Sequence, residues 1–287
     1  MGSGTVSHSS MRTYATSLGR SYDSSTGRVK GQEFVARNID PSLDPRNFKV
    51  RECVNSEEHP NTIPVILGLD VTGSMGEACS ETAAALGTII FNLYKKFKDI
   101  EFCMMGIGDL AYDRAPIQMS QFESDIRIVE SLDKVYMEHG GGGNRYESYT
   151  AAWYMGLKRT KLDCYDKQHR KGIIITMGDE PLNPYLPVDK LNQAIGGTEQ
   201  TDIETHQLYQ EATEKFDIFH IAVDSPQDSY KFYQNDIASS FGSVLGLRYK
   251  VASINNLAAV IETCINESLE GVAQQPESKL NNGLISW

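Results

Sequence analysis

Three oxygen-bearing side chains follow one apolar run in this sequence. The run 63–69 is rich in Ile, Val and Leu, and Asp70, Thr72 and Ser74 come directly after it. Because these three residues are spaced two apart, an extended backbone would direct their side chains to the same side. Converging oxygens can bind a hard cation. Alternatively, one of them can be the nucleophile of a phosphoryl transfer while the others assist it. The three residues alone leave both chemistries open.

Oxygen side chains also follow two other segments of the chain. Glu147 and Ser148 come after the glycine run 140–143, and Asp179 comes after the apolar run 172–176. A strand with apolar residues on both faces is typical of a parallel sheet covered on both sides. The carboxyl ends of parallel strands meet at one edge, where such sheets place their ligands. We therefore expect these residues to converge with Asp70.

The elements that must position these residues alternate between strand and helix patterns. Strands are predicted at 63–70, 100–107, 172–176, 218–223 and 244–252, with 117–123 returning as a hairpin; helices are predicted at about 80–98, 126–135, 148–158, 187–195, 202–215, 228–240 and 254–270. This alternation predicts an α/β fold with a doubly wound, mostly parallel central sheet. Helices would cover both faces, and one edge strand would be antiparallel.

The chain is predicted to hold a single folded domain. Residues 1–45 are rich in Ser, Gly and Arg, which predicts a flexible arm or an extended segment laid over the domain. The domain itself is placed at 46–270, and 271–287 are expected to be a polar tail.

Composition narrows the classes of partner. A net charge of -11 argues against nucleic acid, which needs clustered Lys and Arg. Five cysteines without a Cys-x-x-Cys pair favour reduced thiols. We see no apolar run of about 18 residues and no signal-like apolar segment, so we expect a cytoplasmic protein with no membrane partner.

The pattern Asp70-x-Thr72-x-Ser74 resembles the metal-ion-dependent adhesion site of von Willebrand factor A (vWA) domains. The order of strands, helices and loops over roughly residues 60–270 is similar to theirs as well. The resemblance, closest to intracellular prokaryotic or phage-like members, implies a Rossmann-like vWA fold.

The resemblance also implies a set of metal ligands. Thr72 and Ser74 would bind Mg²⁺ directly, and Asp70 would act mostly through water. Asp179 would be the metal-site residue that ends the fourth strand. Glu147 would take the place that a threonine usually holds in the third loop, and Ser148 is the alternative. Mn²⁺ and Ca²⁺ are alternative cations.

The function that the resemblance implies is metal-dependent protein binding without catalysis. A carboxylate of the partner would complete the coordination, and an AAA+ ATPase or another multiprotein assembly is the kind of partner expected. The competing hypothesis is a phosphotransferase of the haloacid-dehalogenase type with Asp70 as nucleophile, because the motif also resembles the Asp-Lys-Thr-Gly-Thr of P-type pumps. A third hypothesis is a metal that only stabilises the fold.

Overall fold

The computed structural model describes residues 6–25, 28–30, 36–75, 86, 88–138, 145–224 and 230–273. At residues 28, 30, 74 and 271–273 it describes the backbone alone.

A six-stranded sheet forms the centre of the protein. Its order is β12-β11-β8-β4-β5-β6, with bounds β4 Ile63–Asp70, β5 Ile100–Ile107, β6 Ile117–Met119, β8 Gly172–Gly178, β11 Phe216–Val223 and β12 Tyr249–Ala252. All neighbouring strands are parallel except β6, which runs antiparallel to β5 at one edge. The predicted fold class, including the antiparallel edge strand, is confirmed.

Helices cover both faces of this sheet. The described helices are α1 His8–Ser17, α2 at 88–96, α3 Arg127–Asp133, α4 Thr150–Arg159, α5 Asp163–Asp166, α6 Val188–Ile195, α7 Thr205–Ala212, α8 Tyr230–Leu245 and α9 Leu257–Ala273. One apolar core joins the sheet to α1, α2, α3 and α9. A second core joins it to α4, α6, α7 and α8.

Strand β4 shows why its sequence lacks polar alternation. Val65, Leu67 and Leu69 lie in the first core, while Ile66 lies in the second. Because both faces of the strand are covered, apolar residues occupy successive positions. The same burial applies to β8 and β11, which are buried throughout.

The order of the strands creates a crevice at their carboxyl ends. From β4 the chain moves out to β5 and β6, and it later returns on the other side to β8, β11 and β12. The strand order therefore reverses between β4 and β8. At such a switch point the connections leave in opposite directions and open a space for a ligand.

The N-terminal segment 1–45 contains more regular structure than its composition suggests. Helix α1 buries Met11 and Ala15 in the first core. Arg20 Nη1 donates to both carboxylate oxygens of Asp133, at 3.0 and 3.1 Å, and the Tyr14 hydroxyl donates to the same carboxylate. The described part of this segment is thus packed on the domain and includes helix α1 as well as extended stretches.

Several other elements differ from the predicted ones. Helix α8 continues to Leu245, so β12 is confined to Tyr249–Ala252 instead of beginning near residue 244. The short pairs β1 Ser21–Asp23 with β2 Arg28–Lys30, β3 Arg51–Cys53 with β7 Thr160–Leu162, and β9 Tyr185–Leu186 with β10 Ile203–Glu204 were not anticipated. Such two- and three-residue strands are too short to show a periodic pattern.

Candidate functional site

Asp70 ends β4 at the switch point and is completely buried. Its Oδ1 accepts hydrogen bonds from the Thr72 backbone N–H at 3.0 Å and from the Thr72 hydroxyl at 2.6 Å. A 3₁₀ turn, Gly73–Met75, follows at once. The backbone is therefore not extended through Ser74, and hydrogen bonds hold the Asp70 and Thr72 side chains together. The Ser74 side chain lies outside the described structure.

Tyr149 is a site residue that the sequence did not reveal. Its hydroxyl donates to the other Asp70 oxygen, Oδ2, at 2.7 Å, and it accepts from the Glu180 backbone N–H at 3.3 Å. The tyrosine reaches Asp70 across Gly178, where a Cβ atom would lie only 2.0 Å from the Tyr149 hydroxyl oxygen. No spacing or motif signals this contact, because it joins positions 79 residues apart.

Glu147 lies on the loop that precedes α4. This loop is held against the one after β8 by a parallel bridge between Glu147 and Leu182. The side chain is only 5% exposed, and its Oε2 has no hydrogen-bond partner among the described residues. Burial, together with the nearby charges of Asp70 and Glu180, raises the pKa of Glu147 to about 12. A carboxylate in this position can ionise at neutral pH only beside a positive charge.

Asp179 and Glu180 follow directly after β8. Asp179 is completely buried and Glu180 is 9% exposed. Burial raises the pKa of the Tyr149 phenol, and the charges of Asp70, Asp179 and Glu147 raise it further. Tyr149 therefore lies beside both segments: its hydroxyl donates to Asp70 and accepts from the N–H of Glu180, the residue after Asp179.

Two further carboxylates come from the loop after β5. Asp109 is 4% exposed; its Oδ1 accepts from the Ala111 N–H at 2.8 Å, while its Oδ2 has no hydrogen-bond partner within the described ranges. Asp113 Oδ2 accepts from the Asp109 N–H at 2.7 Å. Burial raises the pKa of Asp113 to about 7, and Glu138, Asp109 and Asp70 contribute in the same direction. Asp109 is thus buried at this edge of the sheet and does not lie in a solvated loop.

The two candidate ligands of the third loop, Glu147 and Ser148, differ in their hydrogen bonding. The Ser148 hydroxyl accepts from the Leu110 backbone N–H at 3.0 Å and so ties this loop to the one after β5. Glu147 keeps an oxygen without a described hydrogen-bond partner. Glu77, His139, Asn144 and the glycine run 140–143 lie outside the described residues.

His220 and Asn183 are buried, and their side chains make hydrogen bonds within the fold. The Nδ1 atom of His220 lies 2.9 Å from the Thr176 hydroxyl oxygen. The His220 ring stacks on Phe241 with 3.6 Å between the ring centroids, and burial lowers the pKa of His220. His220 is therefore a hydrogen-bonded histidine of the core. Asn183 donates to the Thr150 hydroxyl and the Tyr185 carbonyl, which anchors the loop after β8 to α4.

These residues suit a hard cation bound by oxygen. Buried carboxylate oxygens of Glu147 and Asp109 lack hydrogen-bond donors among the residues described, and Mg²⁺ or Ca²⁺ binds such oxygens. No three His, Cys, Asp or Glu side chains in the described part of the chain are placed to hold a metal by themselves. Hydroxyl oxygens, of which Thr72 supplies one, would therefore be needed to complete the coordination.

The fold and the crevice define an α/β domain of the doubly wound class, and solved structures of similar fold exist. The vWF domain of the type V pili tip protein Mfa5 from Porphyromonas gingivalis aligns with 75% of this chain and 97% of its own, at 12% identity and a TM-score of 0.48. The pilus adhesin SpaC from Lactobacillus rhamnosus GG aligns with 76% of this chain at 11% identity and a TM-score of 0.48. This chain spans about a third of the SpaC chain, at 31%.

A third similar structure is the PilB minor pilin from Streptococcus sanguinis, at 12% identity and a TM-score of 0.46, covering 74% of this chain and 63% of that one. The sequence matches no protein-family model and no curated protein. At these identities the likeness concerns the fold and carries no information on ligands. Among the described residues, no helix has the length and apolar character needed to span a membrane.

Proposed function

We propose that this protein is a vWA-type protein-binding module that holds a divalent cation at the carboxyl edge of its sheet. The cation would be Mg²⁺, with Mn²⁺ or Ca²⁺ as alternatives, and it would capture an acidic side chain of a partner protein. The observation that carries the proposal is the buried Glu147 carboxylate, whose Oε2 has no described hydrogen-bond partner.

Burial and neighbouring carboxylates both oppose ionisation of Glu147. A buried charge is tolerated when it is paired or coordinates a metal. No salt bridge to a Lys, Arg or His side chain within the described ranges involves Glu147. A bound cation would supply the missing positive charge.

We assign Thr72, Ser74 and Glu147 as the direct ligands of the cation. Asp70 and Asp179 would support the site from positions beside these ligands. Both Asp70 oxygens already accept hydrogen bonds, from Thr72 and from Tyr149, so Asp70 is suited to orient Thr72 and its neighbours. A Mg²⁺ ion keeps part of its coordination shell for water or an exchangeable ligand, which would let it attract a partner's carboxylate.

The enzyme hypothesis has less support. A nucleophilic Asp70 would need an oxygen that substrate can reach, whereas Asp70 has no exposed surface and both of its oxygens accept hydrogen bonds. Release of phosphate from p-nitrophenyl phosphate by the wild-type protein, abolished by Asp70→Asn in a variant that still unfolds cooperatively, would replace our proposal with a phosphotransferase.

The partner class and the compartment are proposed from the sequence motif. We propose a cytoplasmic module of the intracellular type that serves as an adaptor, with an AAA+ ATPase or another multiprotein assembly as partner. This follows the resemblance in the motif of Asp70, Thr72 and Ser74. The similar solved structures are pilus proteins, and immunofluorescence in the source cell would show whether this protein shares that location.

The test is a pull-down with Mg²⁺ and with EDTA. We expect partners recovered by wild type in Mg²⁺ to be lost in EDTA and in Thr72→Ala/Ser74→Ala. The control variant Thr198→Ala/Ser239→Ala removes one threonine and one serine hydroxyl from exposed residues elsewhere and should behave as wild type. Equal recovery under all conditions would refute metal-dependent binding.

Circular dichroism on the same samples separates the remaining hypothesis. If the metal only stabilises the fold, EDTA should unfold the protein in step with the loss of binding. Under our proposal the protein remains folded in EDTA and loses its partner.

A further inference from the structure

A cleft of about 200 Å³ lies beside the candidate metal site, between the loop after β5 and helix α6. Leu110, Ala111 and Ala194 provide apolar surface, and Arg114 and Lys190 provide positive charge. Tyr112, which is 59% exposed, also lines it. The Arg46–Asp44 pair and Asp113 complete the charged lining, so the cleft combines a small apolar surface with three cations and two carboxylates.

The cleft shares a wall with the metal site. Leu110 lines the cleft, and its backbone N–H donates to Ser148, the residue next to Glu147. Asp113 also lines the cleft, and its charge acts on Glu147. A ligand that reaches Glu147 from solvent would thus lie close to this cleft.

Of the three basic side chains that line the cleft, Arg46 has a carboxylate partner among the described residues, whereas Arg114 and Lys190 have none. Arg46 binds Asp44 through two of its nitrogens, so this pair is internally neutralised. Among the described residues, Arg114 Nη2 contacts the Asn38 amide oxygen at 3.4 Å, and Lys190 Nζ contacts the Ala111 carbonyl at 3.4 Å. Neither cation has a carboxylate partner among the residues that the structure describes.

These two cations stand out because the chain as a whole carries a net charge of -11. Each is held by a neutral oxygen and can still donate to an anion. Complementary charges at the edge of an interface select acidic partners and accelerate their association.

We propose that this cleft, which we call the basic cleft, binds a second acidic side chain of the same partner. The inference rests on the proposed function and deepens it: the partner presents two acidic residues, one to the cation and one to Arg114 and Lys190. Leu110, Ala111 and Ala194 would contact the methylene groups of the second side chain. An isolated carboxylate would then bind less tightly than an acidic segment.

The experiment uses fluorescein-labelled hexaglutamate and measures anisotropy with the full chain in Mg²⁺ and in EDTA. Arg114→Gln/Lys190→Gln tests the basic cleft. Lys158→Gln/Lys171→Gln is the matched control, because it also removes two positive charges. Lys158 lies in the last turn of α4, and Lys171 directly precedes β8. We expect the cleft variant to bind about three to ten times more weakly than wild type, the range for one or two exposed ion pairs. The control should bind within about twofold of wild type.

The outcomes separate the two proposals. Mg²⁺-dependent binding that is equal in wild type and the cleft variant refutes the basic cleft and leaves the metal site intact. Binding that survives EDTA but weakens in the cleft variant supports the cleft and contradicts metal capture. Equal weakening in the cleft and control variants shows a general charge effect and refutes the cleft. Failure of wild type to bind at all counts against both.

Discussion

Replacing Glu147 with glutamine is expected to stabilise the protein in EDTA. The glutamate pKa is raised in the folded state, so above pH 4.3 the folded protein retains a proton that the unfolded chain releases. The stability of the folded state therefore falls as the pH rises above the unfolded pKa. At pH 7 the destabilisation is at most about 4 kcal/mol, from about 1.4 kcal/mol per pH unit over the nearly three units between 4.3 and 7.

Glutamine has the same shape and no such proton to release, so Glu147→Gln should recover much of this free energy. For a chain of this size, 1 kcal/mol shifts the melting temperature by about 2–4 °C, so the variant should melt roughly 10 °C higher at pH 7. The difference should disappear as the pH approaches about 4.3.

Adding Mg²⁺ should narrow the difference in melting temperature between wild type and the variant. At a concentration one hundred times Kd, a cation stabilises wild type by about 2.7 kcal/mol, whereas the variant has lost a charged ligand and should gain much less. Differential scanning fluorimetry over pH, with Mg²⁺ or EDTA, measures both effects. Glu211→Gln makes the same chemical change on the surface of α7 and should alter neither.

Two results would refute this reasoning. A Glu147→Gln variant no more stable than wild type in EDTA at pH 7 would mean that the buried carboxylate is not destabilising. Equal Mg²⁺ shifts in wild type and variant would mean that Glu147 does not hold the cation.

Three further predictions concern the support of the site. Tyr149→Phe removes the hydroxyl that donates to Asp70 Oδ2, and it should lower the free energy of unfolding in urea by about 1–3 kcal/mol. Gly178→Ala should destabilise by a similar or larger amount, because its Cβ would meet the Tyr149 hydroxyl at 2.0 Å. The control is Gly242→Ala in helix α8, where no atom lies within 4 Å of the added Cβ. This control should stabilise the protein by about 0.5–1 kcal/mol. Asp133→Asn weakens the contact that holds the N-terminal segment, so limited trypsin digestion should remove that segment faster than in wild type.

Each of these predictions has a clear contrary result. A Tyr149→Phe variant as stable as wild type would show that the hydrogen bond to Asp70 contributes nothing measurable. A Gly178→Ala variant that unfolds like Gly242→Ala would show that the close approach is not required. An unchanged cleavage rate at the N-terminal segment would show that Asp133 does not anchor it.

The fold was predictable because its signals are local. Strand β4 has apolar residues at successive positions, and helices such as α4 and α6 have helical spacing; both patterns arise from burial on known faces. The antiparallel β6 followed from the short interval after β5, which leaves room only for a hairpin. The position of Asp70 and Asp179 at strand ends followed from the same patterns.

Tertiary structure decided what surrounds those residues. Glu147 and Asp109 lie in different loops, and only packing shows that both place an oxygen in a buried position without a described hydrogen-bond donor. The bond from Tyr149 to Asp70, made across Gly178, has no signature in either segment. The sequence by itself thus determined the α/β order and the oxygen side chains at the strand ends, because both depend on residues near each other in the chain. Burial, charge and hydrogen bonding at the site depend on residues far apart in sequence, and only the folded chain brings them together.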